Sequence, residues 1–317
     1  MSQTDRLSGE FALIGWIRRH LKGDRRVPIG PGDDTAALTL TPHREVLVTT
    51  DMILEGVHFD RRTATARQIG RKALAVNLSD IAAMAGVPVA AVVSMGIPIG
   101  TSRREVEELF HGMVELADEF DVAIVGGDTN RSCEGIVLCV TVIGEATTRG
   151  PVQRSGAVSG EWILCTGSFG GSIHGKHLEF APRISEALAL HERLRVHAMI
   201  DVSDGLAADL GHILEESRCG AELNSAAIPI SEVVRRVPDN RSPLAHALYD
   251  GEDFELLFTL PESDARQLLA SPFFSTPITA IGTIEKEAGL WLAEPDGSRR
   301  RIEPLGFDHF RQPVPDS

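Results

Sequence analysis

Three short apolar runs in this chain close on an aspartate: "EVLVTTD" at Asp51, "VAIVGGD" at Asp128 and "AMIDVSD" at Asp204. Runs of this length, rich in β-branched residues, read as strands, and an unpaired carboxylate cannot follow them into a core. Each is therefore expected to be a buried strand that delivers its aspartate to one edge of a sheet. The same setting recurs for Asp33 and Asp34 in the turn "GPGDD", for Asp80 in "NLSD" and for Asp201 in "DVSDG". Small or hydroxyl residues stand beside most of them, among them Thr49, Thr50, Ser79, Gly127, Thr129 and Ser203. Hard oxygen donors with small neighbours suit Mg2+, which retains waters and takes phosphate oxygens as further ligands. Singly, any of these aspartates reads as a cap or a turn residue. As a set, they make an all-structural explanation less satisfactory.

The remaining composition narrows the partners. The 317 residues are 43% hydrophobic and 24% charged, enough apolar material for one large domain or two ordinary ones. A formal net charge of −14 argues against nucleic acid, whose binding needs a basic face. An acidic chain holds polyanions most readily through divalent cations, and lysine is confined to Lys22, Lys72, Lys176 and Lys286. Cys133, Cys139, Cys165 and Cys219 form no C-x-x-C pair and lie mostly in apolar runs, so buried thiols in a reducing compartment are expected. No signal peptide is visible in "MSQTDRLSGEF" and no apolar run approaches a membrane span, so a cytoplasmic location without membrane contact is expected.

Along the chain, apolar spacing predicts a helix from Phe11 to Leu21, capped by Ser8. Helices are expected over "RQIGRKALAVNLSDIAAMAG" and "RREVEELFHGMVELADEF", and strands over "VAAVVSMGIP" and "IVLCVTVIGE". Between Glu145 and Glu161 the pattern dissolves into "EATTRGPVQRSGAVSGE", the best domain boundary. It divides residues 1–147 from 148–317. The second part reads as strand "WILCTG", helix "RISEALALHERL", strand "AMIDVSD", helix "GLAADLGHILEES", strand "DFELLFTL", helix "ESDARQLLA" and strand "ITAIGTI". This alternation is too irregular for a simple doubly wound sheet, and two α+β domains fit it better.

A second phosphate motif competes with the carboxylates. "GGSIHGK", Gly170 to Lys176, fits G-x-x-x-x-G-K after a strand, but His177 stands where a P-loop needs Ser or Thr for its metal. His174 and His177 could share a helix face as metal ligands, although no third ligand is near in sequence. A decoy and a pair of surface or loop histidines are the expected outcome.

"GEFALIGWI", "GPGDDTAAL", "TTDMILEGVHF", "KALAVNLSDIAAMAG", "IVGGDTN", "RSGAVSGE", "DVSDGLAADLGHI", "GEDFELLFTL" and "GFDHF" run nearly from end to end. In their order and spacing they resemble the thiamine-monophosphate kinases of the aminoimidazole ribonucleotide synthetase-like superfamily. The resemblance implies a two-domain α+β fold of that superfamily. Its N-terminal domain would carry a mixed sheet that pairs in a homodimer and binds ATP and metal; its C-terminal domain would be an α/β sandwich. It implies ATP and several Mg2+ ions acting on thiamine monophosphate to give thiamine diphosphate. It places metal ligands at Asp34, Thr49, Thr50, Asp51, Asp80, Asp128, Asp201 and Asp204, and ATP contacts at Gly127, Asp128, Arg154 and Ser203. His58, Glu252 and Phe307 would line the thiamine side. Pro31 inside "GPGDD" and the segment "GSFGGSIHGKHLEFAPRI" depart from the familiar pattern, which leaves the roles of Lys176 and His177 open.

Such a reaction needs no general base. The acceptor is a phosphate monoester, mostly dianionic at neutral pH, and repulsion between two phosphates is the barrier that metal ions relieve. Two alternatives stay open: another ATP-dependent enzyme of the superfamily, or a nucleotide-binding regulatory module without turnover. A selenophosphate synthetase would carry a reactive Cys near a Lys at the N-terminus, yet residues 1–26 hold no Cys and only Lys22. A hydrogenase-maturation relative would end in a cysteine-bearing tail, and this chain ends "QPVPDS".

Overall fold

Two helical glycines set how the first part of the chain packs. A Cβ at Gly70 would lie 1.8 Å from the Leu109 carbonyl oxygen, and one at Gly112 would lie 1.9 Å from that of Arg67. Helices α2 (Ala66–Ala83) and α3 (Arg103–Glu119) therefore touch backbone to backbone, a contact that no larger residue permits. These relations come from a computed structural model, which describes residues 10–32, 34–237 and 239–310. The chain divides into one unit of Met1–Ile81 and Gly86–Gly150 and a second of Ala82–Ala85 and Pro151–Ser317.

In the first unit, α1 (Glu10–His20) precedes β1 (Val46–Leu54), α2, β2 (Val87–Pro98), α3, β3 (Ala123–Ser132) and β4 (Val137–Glu145). The sheet order is β1-β4-β2-β3; β4 is antiparallel to both neighbours and β2 is parallel to β3. Strand β4 shows the period of two that a half-covered sheet demands, with Leu138, Val140 and Val142 fully buried and the residues between them half-buried. Ser102 caps α3 by accepting from the Glu105 amide at 3.1 Å.

The second unit runs β5 (Trp162–Thr166), α4 (Lys176–Glu179), α5 (Ile184–Arg193), β6 (Ala198–Asp201), α6 (Leu206–Ser217) and β7 (Gly220–Asn224). It continues through α7 (Pro243–Tyr249), β8 (Leu256–Leu260), α8 (Glu262–Ala270), β9 (Ile278–Glu285), β10 (Gly289–Ala293) and β11 (Arg299–Ile302). Its seven strands form one mixed sheet, β11-β10-β7-β9-β5-β8-β6. Helix α6 packs Leu206, Leu210 and Ile213 into a core shared with Ile163, Ile200 and Leu257 of the sheet. Truncating a leucine buried to this degree to alanine costs about 2–5 kcal/mol.

The sequence reading missed β7, β10, β11 and α7, which are short and carry mixed polarity. It also started β8 too early, because Asp253 and Phe254 belong to a turn before the strand. Among the described residues no helix is long and apolar enough to cross a membrane. None of the cysteines is in a disulfide; Cys165 and Cys219 are buried and Cys139 is half-buried. The expected burial fails for Cys133, which is exposed in the turn between β3 and β4.

Candidate active site

The first unit gathers its oxygen donors on one side of β1. Leu47, Thr49, Asp51 and Ile53 share the partly buried face, whereas Val46, Val48, Thr50 and Met52 point the other way. The Thr49 hydroxyl donates to Asp80 Oδ2 at 2.5 Å, which joins the strand to the last turns of α2. One turn earlier on α2, the fully buried Asn77 accepts the Asp51 amide on Oδ1 at 3.0 Å and donates its Nδ2 to Ala73 O at 3.1 Å. Asp51 is thus held through its main chain by a side chain of α2. The Thr50 hydroxyl donates instead to Val140 O at 3.2 Å and accepts from Thr141 at 3.0 Å, on the face away from Asp80.

Asp128 stands exposed on β3 opposite Ser94, and Asn130 Nδ2 donates to its Oδ2 at 2.5 Å. Gly127 beside it is obligatory, since a Cβ would lie 1.9 Å from Val93 O. His58 occupies the turn after β1. Its Nδ1 accepts the Leu54 amide at 3.1 Å, and its carbonyl accepts from the fully buried Lys72 at 2.6 Å.

Three expected strand-end or helix-start positions prove otherwise. Strand β1 runs on to Leu54 and β3 to Ser132, so Asp51 and Asp128 lie inside strands, and Asp80 lies near the C-terminus of α2. The reason is the sheet order: β1 and β3 are its two outer strands, where a mid-strand carboxylate still reaches solvent. Asp34 is exposed in a loop closed by the Ala37 amide donating to Ile29 O at 2.9 Å, and Asp33 lies outside the described residues.

In the second unit the carboxylates do sit where a strand ends and a helix begins. Asp201 is buried at the end of β6, and Asp204 is half-buried just before α6. The turn is held by Asp209, which accepts the Asp204 and Gly205 amides at 3.0 and 3.1 Å. Burial, then the charges of Asp204 and Asp201, pushes the Asp209 carboxyl well above its ordinary range. Burial also raises Asp204, against the opposing pull of His212, His309 and Arg154. Oxygen or nitrogen atoms of Asp204, Asp209 and His212 lie within 4.8 Å of one another. Asp209 and His212 went unnoticed in the sequence, although both follow Asp204 within two helical turns.

The acceptor-side candidates join the same turn through the main chain. The Glu252 amide donates to Ser203 O at 2.6 Å, and the Phe307 amide donates to Asp204 O at 2.8 Å. Gly306 permits that approach, since a Cβ there would lie 2.2 Å from Asp204 O. The Phe307 ring is 51% exposed and meets His309 edge-on at 4.8 Å. Ser203, Asp204, Glu252 and Phe307 therefore meet at one junction, with the charge of Arg154 near enough to act on Asp204.

The glycine-rich decoy has a definite structure. The Gly170 and Gly171 amides, which a phosphate cradle would aim at its ligand, donate instead to Asp253 Oδ2 at 2.8 Å and to Asp250 Oδ2 at 3.0 Å. Lys176 Nζ donates to Ser168 O and lies 2.9 Å from Glu255 Oε1, whose side chain is 2% exposed. Arg183 and Thr166 donate to the same carboxylate. Burial pushes Glu255 upward, yet Arg183 and Lys176 outweigh it and hold the carboxyl below its ordinary value. His174 is exposed, but the expected surface or loop position fails for His177, which the helix α4 turns inward and buries with Nδ1 2.9 Å from Ser172 O. The anion this segment binds is the protein's own.

Comparison with known proteins adds the lineage. Residues 32–146 match the N-terminal domain of AIR synthase related proteins, and residues 158–290 match their C-terminal domain. The chain is 36% identical over 309 residues to thiamine-monophosphate kinase of Rhodopirellula baltica, spanning 95% of this chain and 97% of that one. It resembles the crystal structure of thiamine-monophosphate kinase from Stenotrophomonas maltophilia with a TM-score of 0.78 at 33% identity, over 92% of this chain and 97% of that one. Against AaThiL complexed with AMPPCP and TMP, the TM-score is 0.75 at 31% identity, over 98% of this chain and all of the other.

Proposed function

The chain belongs to the thiamine-monophosphate kinase family, and on that footing we propose that its carboxylate sets bring ATP and thiamine monophosphate together for direct in-line phosphoryl transfer. It is an ATP-dependent thiamine-phosphate kinase, whose product is thiamine diphosphate. The observation that carries the reading is the junction at which the Glu252 and Phe307 amides dock on the carbonyls of Ser203 and Asp204. Acceptor-side and phosphate-side candidates are there parts of one rigid turn.

The donor set fits Mg2+. Thr49, Asp51 and Asp80 offer hard oxygens on one side of β1, and in the second unit the charges of Asp204 and Asp201 add to burial in raising the proton affinity of Asp209, as crowding of carboxylates does. Asp34, Thr49, Asp51, Asp80, Asp128, Asp201 and Asp204 would hold the ions, and Thr50 only through its main-chain oxygen. Bound Mg2+ supplies neutralisation of the phosphates and of the transition-state charge. The residues of the chain do the rest. Gly127, whose lack of a side chain lets β3 pack on Val93 O and so sets Asp128 in place, contacts ATP together with Asp128, Arg154 and Ser203, and His58 stands in a doubly pinned turn on the thiamine side. Glu252 and Phe307 offer a carboxylate to the aminopyrimidine and a ring face to the thiazolium cation.

The outer strand β1 exposes Val46, Val48 and Met52 at 48%, 65% and 51%, which supports a homodimer paired through the first unit. ADP release, measured with and without thiamine monophosphate, tests the function. Turnover should require the acceptor and vanish on chelation; ADP release indifferent to thiamine monophosphate would overturn it.

A further inference from the structure

Two residues without glycine's freedom, Glu252 and Phe254, hold φ angles of +64° and +50° on either side of Asp253. Left-handed backbone at such residues persists only where the surroundings over-determine it, and it concentrates at functional positions. The surroundings here are on two sides. On one, the Glu252 and Phe254 amides donate to Ser203 O and Val202 O at 2.6 and 2.7 Å. On the other stands the glycine-rich segment 167–180, which the phosphate chemistry leaves unused.

That segment contacts Glu252 through its backbone and otherwise holds the next two residues of the turn, Asp253 and Phe254. The Ser172 hydroxyl, 1% exposed, donates to Glu252 O at 2.6 Å. The Gly170 amide holds Asp253 Oδ2 at 2.8 Å, and Lys176 Nζ stands 3.7 Å from Asp253 Oδ1, an atom without a hydrogen-bond partner among the described residues. Phe180 stacks on Phe254 with centroids 4.1 Å apart and planes at 14°. Gly170 itself has φ +89° and lies so close to α7 that a Cβ would be 2.9 Å from the Ala247 nitrogen.

We propose that the segment 167–180 is a clamp that positions Glu252 toward the acceptor, with Ser172 and Asp253 as its positioning residues. The proposal rests on the acceptor-side reading of Glu252 and goes beyond it by saying what aims that carboxylate. The loop that imitates a phosphate cradle serves the other substrate. Its amides hold internal carboxylates, and through them they set a strained turn whose far side is the Ser203–Asp204 loop.

A double-mutant cycle on the full chain tests this, using Ser172→Ala, Glu252→Ala and the pair, with steady-state kinetics for each substrate and thermal melting. Ser172→Ala should raise KM for thiamine monophosphate about fivefold, leave KM for ATP within about twofold, and add nothing further once Glu252 is alanine. A merely structural role would shift both KM values alike or act independently of Glu252, and either result overturns the clamp. So does a Ser172→Ala variant with an unchanged KM for thiamine monophosphate. If Glu252→Ala alone leaves that KM unchanged, the acceptor-side assignment fails first and the clamp falls with it, whereas a large Glu252 effect with full additivity removes the clamp alone. Asp253→Asn, isosteric and still able to accept the Gly170 amide, goes through the same cycle as a second arm and answers should Ser172→Ala not fold.

Discussion

In the first unit Asp51, Asp80 and Asp128 lie within regular elements, while in the second Asp201 ends a strand and Asp204 lies on the turn that leads into a helix. The two solutions stress different parts of the chain. Strand register and one buried amide, Asn77, place Asp51, which is half-buried on an outer strand of its sheet. Asp204 is placed by a buried turn that Asp209 caps and that also anchors Glu252 and Phe307. Loss of charge at Asp51 or exposed Asp128 is therefore expected to spare the fold more than loss of charge at Asp204 or Asp209.

Asp51→Asn and Asp128→Asn break the comparison most directly. Each should cut turnover by about a hundredfold or more, as for lost transition-state charge stabilisation, with melting temperature nearly unchanged. Normal rates in either folded variant would remove that residue from the site.

Lys176→Ala probes the opposite behaviour. It strips a cation from the buried Glu255 while Arg183 remains, and should cost about 2 kcal/mol in a denaturant titration. ATP affinity by calorimetry should change by less than about tenfold, because no phosphate contact is lost. Complete loss of ATP binding with the fold intact would restore the P-loop reading.

Asp253 sharpens the same point through pH. Burial pushes its carboxyl up to about 7, above the unfolded value of 3.8, so the folded chain holds this proton more tightly. The resulting stabilisation is complete below the unfolded value and is lost as pH rises through about 7. Asp253→Asn lacks this titration. Its stability relative to the parent should therefore climb between pH 4 and pH 8 by about 1.4 kcal/mol or more, the worth of one pKa unit. A flat difference across that range would mean that Asp253 is ionised throughout.

Phe307→Ala is the mildest change, confined to an exposed ring. KM for thiamine monophosphate should rise about tenfold with KM for ATP nearly unchanged, the loss expected of one cation–π contact. Equal damage to both substrates would make Phe307 a structural anchor of the Asp204 turn.

Much of this molecule was legible in the sequence because it depends on near neighbours. Apolar periodicity located α2, α3, β2, β4 and α6. The recurring aspartates, and the residue His177 that spoils the P-loop, are properties of short stretches. Tertiary structure decided the rest, because the deciding partners are far apart in the chain. Thr49 meets Asp80 across 31 positions, and it is the alternation of β1 that turns Thr50 away from them. The Gly170 amide meets Asp253 across 83 positions, so nothing local to "GGSIHGK" could disclose that its anion is already built in. Asn77 and Asp209 look like ordinary helix residues until folding buries them against the amides they satisfy. A sequence states which groups carry charge; which amide or cation each group meets is settled only when strands and helices remote in sequence enclose it.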